Sequence, residues 1–193
     1  MTTVDYYISL NSPWTYLAGA RFLAMRDRLG FSVRVRPARF ADVFAATGGL
    51  PLPKRSPQRQ AYRLMELKRW RDRLGLPITL EPRHFPSDET RAAWIVIAAD
   101  AAGLDAARFA MEIGRELWER DTNIAEPAAL KTAAQRAGLD YDQLADQAPE
   151  GHELEAAWKA NTAAALDAGV FGAPSFVLAS GEIFWGQDRL DFL

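Results

Sequence analysis

The sequence predicts an α/β protein in which both ends of the chain contribute to one small sheet and the middle forms a large helical block. Three observations support this prediction. A strand–helix–strand pattern occupies residues 4–37, helical patterns fill residues 38–168, and two short strands separated by a turn follow within residues 175–185. The first helix is long enough to be a right-handed crossover between two parallel strands.

The opening segment contains the clearest local signals. Residues 4–10 (VDYYISL) are β-branched and aromatic with partial alternation, which is typical of a strand. Pro13 suits the first position of a helix, where its missing N–H costs nothing, and Ser12 suits the capping position before it. The helical pattern runs to Gly30, and residues 31–36 then alternate between apolar and polar side chains, which predicts a second strand.

The middle of the chain is almost entirely helical in pattern, with glycines at several predicted helix ends. Helices are predicted around residues 40–44, 57–74, 94–102, 105–120, 127–137 and 153–168.

The last stretch changes character. Residues 175–178 and 182–185 form a predicted hairpin, and residues 186–190 resemble the entry to a final helix. A complete helix would need about 11 residues, so we expect the natural chain to continue beyond Leu193.

The order β-α-β, helices, β-β-α is that of a thioredoxin-like fold with an all-helical insertion. We therefore predict a discontinuous thioredoxin-like domain at 1–37 and 169–193, with the insertion at 38–168.

The composition excludes several kinds of chemistry. The 193 residues include no cysteine, so disulfides, cysteine nucleophiles and thiolate metal sites are impossible. His84 and His152 stand outside any motif, and no metal site is predicted. A net charge of −2 gives no support to nucleic-acid binding. No signal peptide and no apolar run of roughly 20 residues is evident, so we expect a cytoplasmic protein without a membrane partner.

Ser12 occupies the reactive position of the predicted fold, where the first strand leads into the first helix. The free N–H groups and the positive dipole end of a helix stabilise an anion at such a position. Redox members of the fold have Cys-x-x-Cys here, whereas this chain has Ser-Pro-Trp-Thr at 12–15. A reactive sulfur must therefore come from a ligand. Taken alone, however, a Ser-Pro pair is more often only a helix cap.

Two further segments are predicted to face Ser12. Pro174 precedes the third strand, and a cis bond to it would turn the backbone of Ala173 towards a peptide laid alongside. A plain loop proline is the alternative, because only about 5–6% of X-Pro bonds are cis. Asp188 either caps the last segment or pairs with a ligand ammonium, while adjacent N–H groups bind a carboxylate.

Five motifs, in one order along nearly the whole chain, carry a family resemblance. They lie at residues 5–17, 57–77, 115–127, 169–174 and 186–189. Together they resemble the kappa-class glutathione transferase and 2-hydroxychromene-2-carboxylate isomerase family, a branch of the DsbA-like thioredoxins. Each motif alone would be weak, and the combination is specific.

The resemblance implies glutathione as cofactor, with Ser12 bonded to its sulfur. Ala173 would then pair with the cysteinyl backbone, and Gln187 and Asp188 would hold the γ-glutamyl end. Arg59 lies where the family usually has a lysine near the glycyl carboxylate, and an arginine fork can bind the same group. The asparagine that the family often has earlier in that loop is absent here.

The resemblance also implies a glutathione-dependent isomerase of a small aromatic carboxylate such as 2-hydroxychromene-2-carboxylate, and a homodimer. Trp14 is a candidate wall for an aromatic substrate, although the tryptophans are mostly core by spacing. The basic residues of 54–73 are most simply a solvated helix face, and one or two of them could bind an acidic co-substrate. Two alternatives stay open, a kappa-like transferase or peroxidase that consumes glutathione and a non-catalytic thioredoxin-like peptide binder.

Overall fold

The computed structural model describes residues 2–193. Its strands are β1 (Thr3–Ile8), β2 (Ser32–Pro37), β3 (Ser175–Leu178) and β4 (Ile183–Trp185). Its α-helices are α1 (Pro13–Leu29), α2 (Phe40–Thr47), α3 (Pro57–Leu74), α4 (Thr90–Ala101), α5 (Ala106–Trp118), α6 (Pro127–Ala137), α7 (Tyr141–Gln147) and α8 (Gly151–Asp167). Short 3₁₀ turns occupy Leu52–Lys54 and Gln187–Phe192.

The four strands form one sheet in the order β2-β1-β3-β4. β1 pairs in parallel with β2, and it pairs antiparallel with β3, which in turn pairs antiparallel with β4. The parallel pair is joined by α1, as a crossover requires. The predicted α/β architecture, with both chain ends in one sheet and helices between them, is confirmed.

Both faces of the sheet are covered, because alternate residues of β1 enter two different apolar cores. Tyr6 enters the main core, where its ring lies 4.7 Å from that of Phe22 on α1 and 4.9 Å from that of Phe176 on β3. Tyr7 points to the other face and joins a smaller core formed with α2 and α8, which includes Val43 and Ala165. Because successive side chains of a strand point to opposite faces, β1 contributes to both cores and lies between them.

The helical segment packs into the main core together with the sheet. Ile95 of α4, Phe109 of α5 and Leu130 of α6 belong to the same buried cluster as Tyr6 and Phe22. The division into a domain at 1–37 and 169–193 and an insertion at 38–168 stays a prediction. Within residues 2–193 no helix is both long and apolar enough to cross a bilayer.

Several predicted boundaries differ from the structure. α7 was not predicted; it has only seven residues and begins where the Asp140 side chain accepts from the Gln143 N–H at 3.0 Å. β1 ends at Ile8 instead of Leu10. The last segment is a 3₁₀ turn instead of the start of an α-helix, with i→i+3 bonds such as Arg189 N–H to Gly186 O at 3.2 Å.

Candidate functional site

Ser12 is the N-cap of α1, as predicted. Its backbone is extended, and its Oγ accepts a hydrogen bond from the Thr15 N–H at 3.3 Å. A hydroxyl that accepts one bond still has its own proton to donate. Among residues 2–193 the Trp14 N–H has no acceptor, as expected for the open first turn of a helix. The first turn of α1 contains no acidic residue. This helix end can therefore bind an anion.

A hydrogen-bonded network fixes the turn that presents Ser12. The Asn11 side chain donates to the Ser87 carbonyl at 2.8 Å and accepts from the Ser87 N–H at 2.9 Å. The Asn11 N–H and the Ser9 hydroxyl each donate to Oε2 of Glu89 at 2.9 Å. Burial raises the pKa of the Glu89 carboxyl above its usual value, although these hydrogen bonds oppose that effect.

Sequence reasoning missed Asn11, Ser87 and Glu89 as parts of this site. Asn11 is adjacent to Ser12, which was a usable signal. The other two residues lie more than 70 positions away in an irregular segment, and nothing in the local pattern pairs them with Asn11.

The Ala173–Pro174 bond is cis, as predicted. Since Ser175 is paired with Tyr7, this bond lies beside the end of β1, from which the chain continues to Ser12. Within the described residues the backbone N–H and C=O of Ala173 have no hydrogen-bond partner. They are available to a peptide laid alongside. A second cis bond, Phe85–Pro86, was not predicted.

The start of the last segment is hydrogen-bonded to the cis proline. The Gly186 N–H donates to the Pro174 carbonyl at 2.9 Å. Gly186 has φ +103°, a backbone conformation that favours glycine, and it leaves room for Oδ1 of Asp188, which would lie 2.5 Å from a Cβ at this position. The Asp188 side chain is exposed and pairs with the neighbouring Arg189 at 2.9 Å. A ligand ammonium can therefore reach it.

The structure gives less support to the other predicted site residues. Gln187 is only 2% exposed, and both its backbone carbonyl and its Oε1 accept from Arg21 at 3.1 Å. Its contact with the γ-glutamyl end stays a prediction. Arg59 is exposed in the first turn of α3, and Trp14 is partly buried against the main core. Neither residue touches Ser12 in any described interaction, and their roles stay predictions.

Comparison with known proteins gives a consistent result. The family model described as DSBA-like thioredoxin domain matches residues 3–193. A protein named 2-hydroxychromene-2-carboxylate isomerase from Sphingobium xenophagum is 29% identical over 195 residues, covering 99% of this chain and 95% of that protein. Glutathione S-transferase kappa 1 from Homo sapiens is 24% identical over 211 residues, covering 99% of this chain and 88% of that one.

A solved structure shows the same similarity in three dimensions. The structure of a 2-hydroxychromene-2-carboxylate isomerase superposes with a TM-score of 0.75 at 25% identity, covering 98% of this chain and 91% of that one.

Proposed function

The chain belongs to the DSBA-like thioredoxin domain family, which confirms the resemblance seen in its sequence, and from this premise we propose that it is a glutathione-dependent enzyme. The observation that carries the proposal is the Ser12 hydroxyl at the open end of α1, together with the unpaired backbone of Ala173, which lies two residues before Ser175, the partner of Tyr7 on β1. The named activities of the relatives support it further. Since the chain has no cysteine, the sulfur must be the ligand's own.

The energetics of a thiolate at this position are favourable. A free thiol has a pKa near 8.5, so little of it is ionised at neutral pH. A hydrogen bond from Ser12 to the anion is worth about 1.5–3 kcal/mol. At 1.36 kcal/mol per pKa unit, that bond lowers the thiol pKa by about one to two units. The open helix end adds a smaller contribution, and together they make the thiolate the major form near neutrality.

The residues at the site fit a glutathione molecule. Ala173 has a free N–H and C=O for the cysteinyl backbone, Asp188 has an exposed carboxylate for an ammonium, and Arg59 has an exposed guanidinium for a carboxylate. Held by these residues, glutathione would supply a thiolate nucleophile for an unsaturated carbon of the substrate. The task of Ser12 is to hold that sulfur ionised by donating a hydrogen bond to it, and this task needs no general base.

Within this class we propose an isomerase of a small aromatic carboxylate, 2-hydroxychromene-2-carboxylate being the compound that the relatives' name indicates. We also propose a cytoplasmic homodimer, on the family resemblance alone. A kappa-like transferase or peroxidase is the second candidate, and the relative from Homo sapiens favours it.

The activity test measures turnover of 2-hydroxychromene-2-carboxylate at saturating glutathione. We expect Ser12→Ala to lower turnover by at least about tenfold, the effect of 1.4 kcal/mol. Ser56→Ala is the matched control, because Ser56 also caps a helix before a proline and accepts from the Arg59 N–H. The Ser56→Ala variant loses a helix cap but keeps the proposed hydrogen bond from Ser12 to the thiolate.

Equal turnover in Ser12→Ala and wild type would remove the assigned role of Ser12. Reduced glutathione measured before and after turnover separates the two candidates. An unchanged amount supports the isomerase, and stoichiometric depletion supports a transferase or peroxidase.

A further inference from the structure

Arg63 carries a positive charge that the protein itself does not satisfy. It lies on α3, one turn after Arg59, and its guanidinium carbon is 5.3 Å from the ring centroid of Phe85 and 5.8 Å from that of Trp118. Within residues 2–193 no acceptor bonds to this guanidinium and no carboxylate forms an ion pair with it. Its Nη2 is shielded from solvent without a partner, and the indole N–H of Trp118 is also buried without an acceptor.

Such an arrangement is costly. A guanidinium has five N–H donors, and buried polar groups that lack partners destabilise a protein, charged groups most of all. Burial and the nearby charge of Arg55 lower the pKa of Arg63 to about 10. Other half-buried arginines do have partners; for example, Arg115 pairs with Glu112 at 2.8 Å. Stacking on two aromatic rings offsets only part of the cost.

Arg63 is connected to the turn that presents Ser12. Phe85, on which it stacks, forms the cis bond to Pro86, and the next residue, Ser87, makes both hydrogen bonds with Asn11. Asn11 directly precedes Ser12.

Positive charge is concentrated on this side of the site. None of Arg55, Arg59 and Arg63 forms an ion pair anywhere in the described part of the chain. Burial lowers the pKa of Arg55, and the nearby Arg59 charge lowers it further, as expected where like charges lie close together. An anion bound here would relieve that repulsion.

We propose that Arg63 binds the carboxylate of the co-substrate, a planar aromatic acid, and thereby positions it beside Ser12. This inference rests on the proposed function and deepens it. The two carboxylates of glutathione have other proposed partners, the last segment and Arg59, which leaves the charge of Arg63 for a second ligand. Only Nη2 is fully shielded, so the remaining N–H groups of the fork can pair with a carboxylate. Phe85 and the fully buried Trp118 hold the Arg63 guanidinium in place, and the preference for an aromatic acid comes from the proposed substrate.

The test measures binding of trans-cinnamate, a planar aromatic acid, by calorimetry with and without saturating glutathione. Arg63→Met keeps the length and the apolar contacts of the side chain and removes its charge. We expect it to weaken cinnamate binding by at least about tenfold, to leave glutathione affinity unchanged, and to leave binding of the uncharged cinnamamide unchanged. Arg63→Lys, which lacks the planar fork, should fall between the two.

Arg73→Met is the matched control, because Arg73 is an exposed arginine on the same helix whose guanidinium stacks on Trp70 at 5.8 Å. It should bind cinnamate as wild type does. We expect Arg63→Met to melt at or above the wild-type temperature, because it removes an unsatisfied cation. If Arg63→Met does not fold, Arg63→Lys carries the comparison.

Three results would overturn the inference. They are no cinnamate binding by wild type, equal cinnamate binding by wild type and Arg63→Met, and a loss confined to glutathione affinity. The last result would mean that Arg63 binds a carboxylate of glutathione instead of the co-substrate. A wild-type protein that does not bind glutathione at all would instead contradict the proposed function, while the titrations without glutathione would still test Arg63.

Discussion

At the scale of single residues, Ser12 can serve structure and chemistry together. Its Oγ uses one lone pair to accept from the Thr15 N–H, which caps α1, and its proton is still available to a ligand sulfur. The sequence left open whether this serine was a cap or a binding residue. The geometry shows that the two roles are compatible, and that the cap holds the hydroxyl at the end of the helix, where an anion is favoured.

Glu89 gives a prediction for the pH dependence of stability. Burial raises its pKa in the folded protein above the ordinary value of 4.5, so the folded state binds this proton more tightly than the unfolded chain does. Its contribution is therefore fully present below about pH 4.5 and is lost as the pH rises through the raised pKa. We expect Glu89→Gln to flatten this decline, as measured by urea unfolding at a series of pH values.

Asp88 is the control for Glu89, because its pKa is shifted in the opposite direction. Hydrogen bonds from Thr90 lower the pKa of the Asp88 carboxyl, so its contribution is present at neutral pH and is lost as the pH falls. Asp88→Asn should therefore lose stability at neutral pH. A Glu89→Gln profile that parallels the wild-type profile would show that Glu89 has no raised pKa.

At the scale of elements, the turn between β1 and α1 depends on a distant segment. Asn11→Ala removes both hydrogen bonds to Ser87 and leaves two backbone groups without their partner. We expect the free energy of unfolding to fall by about 1–3 kcal/mol, as measured by denaturant titration. Asn161→Ala, which removes a single contact with Arg36 at 3.0 Å, should have a smaller effect. Equal losses in the two variants would mean that the turn is not specially fixed.

The elements differ in how far the sequence predicts them. Long periodic stretches such as α1 and α3 are predicted because each combines helical periodicity with a glycine stop. The short α7 is missed because seven residues carry too little periodicity. β1 is predicted two residues too long, because Ser9 and Leu10 continue its pattern while the Ser9 side chain turns to Glu89.

At the scale of the whole molecule, the site is assembled from segments that are far apart in the chain. The order of elements predicted that Ser12, Ala173 and Asp188 would lie near one another, since a known strand order brings them together. The same order gave no information on Glu89 or Arg63, because their places depend on how the helical segment packs against α1. Contacts across this packing depend on tertiary structure, which local patterns do not encode.

The central claim is that this protein holds the sulfur of glutathione as a thiolate through Ser12. The most direct measurement titrates glutathione into the protein and follows ultraviolet thiolate absorbance, comparing wild type with Ser12→Ala. We predict a thiolate signal near neutral pH in wild type that is weaker in Ser12→Ala. A wild-type protein that binds no glutathione, or binds it without ionising the thiol, would contradict the claim and favour a non-catalytic peptide binder.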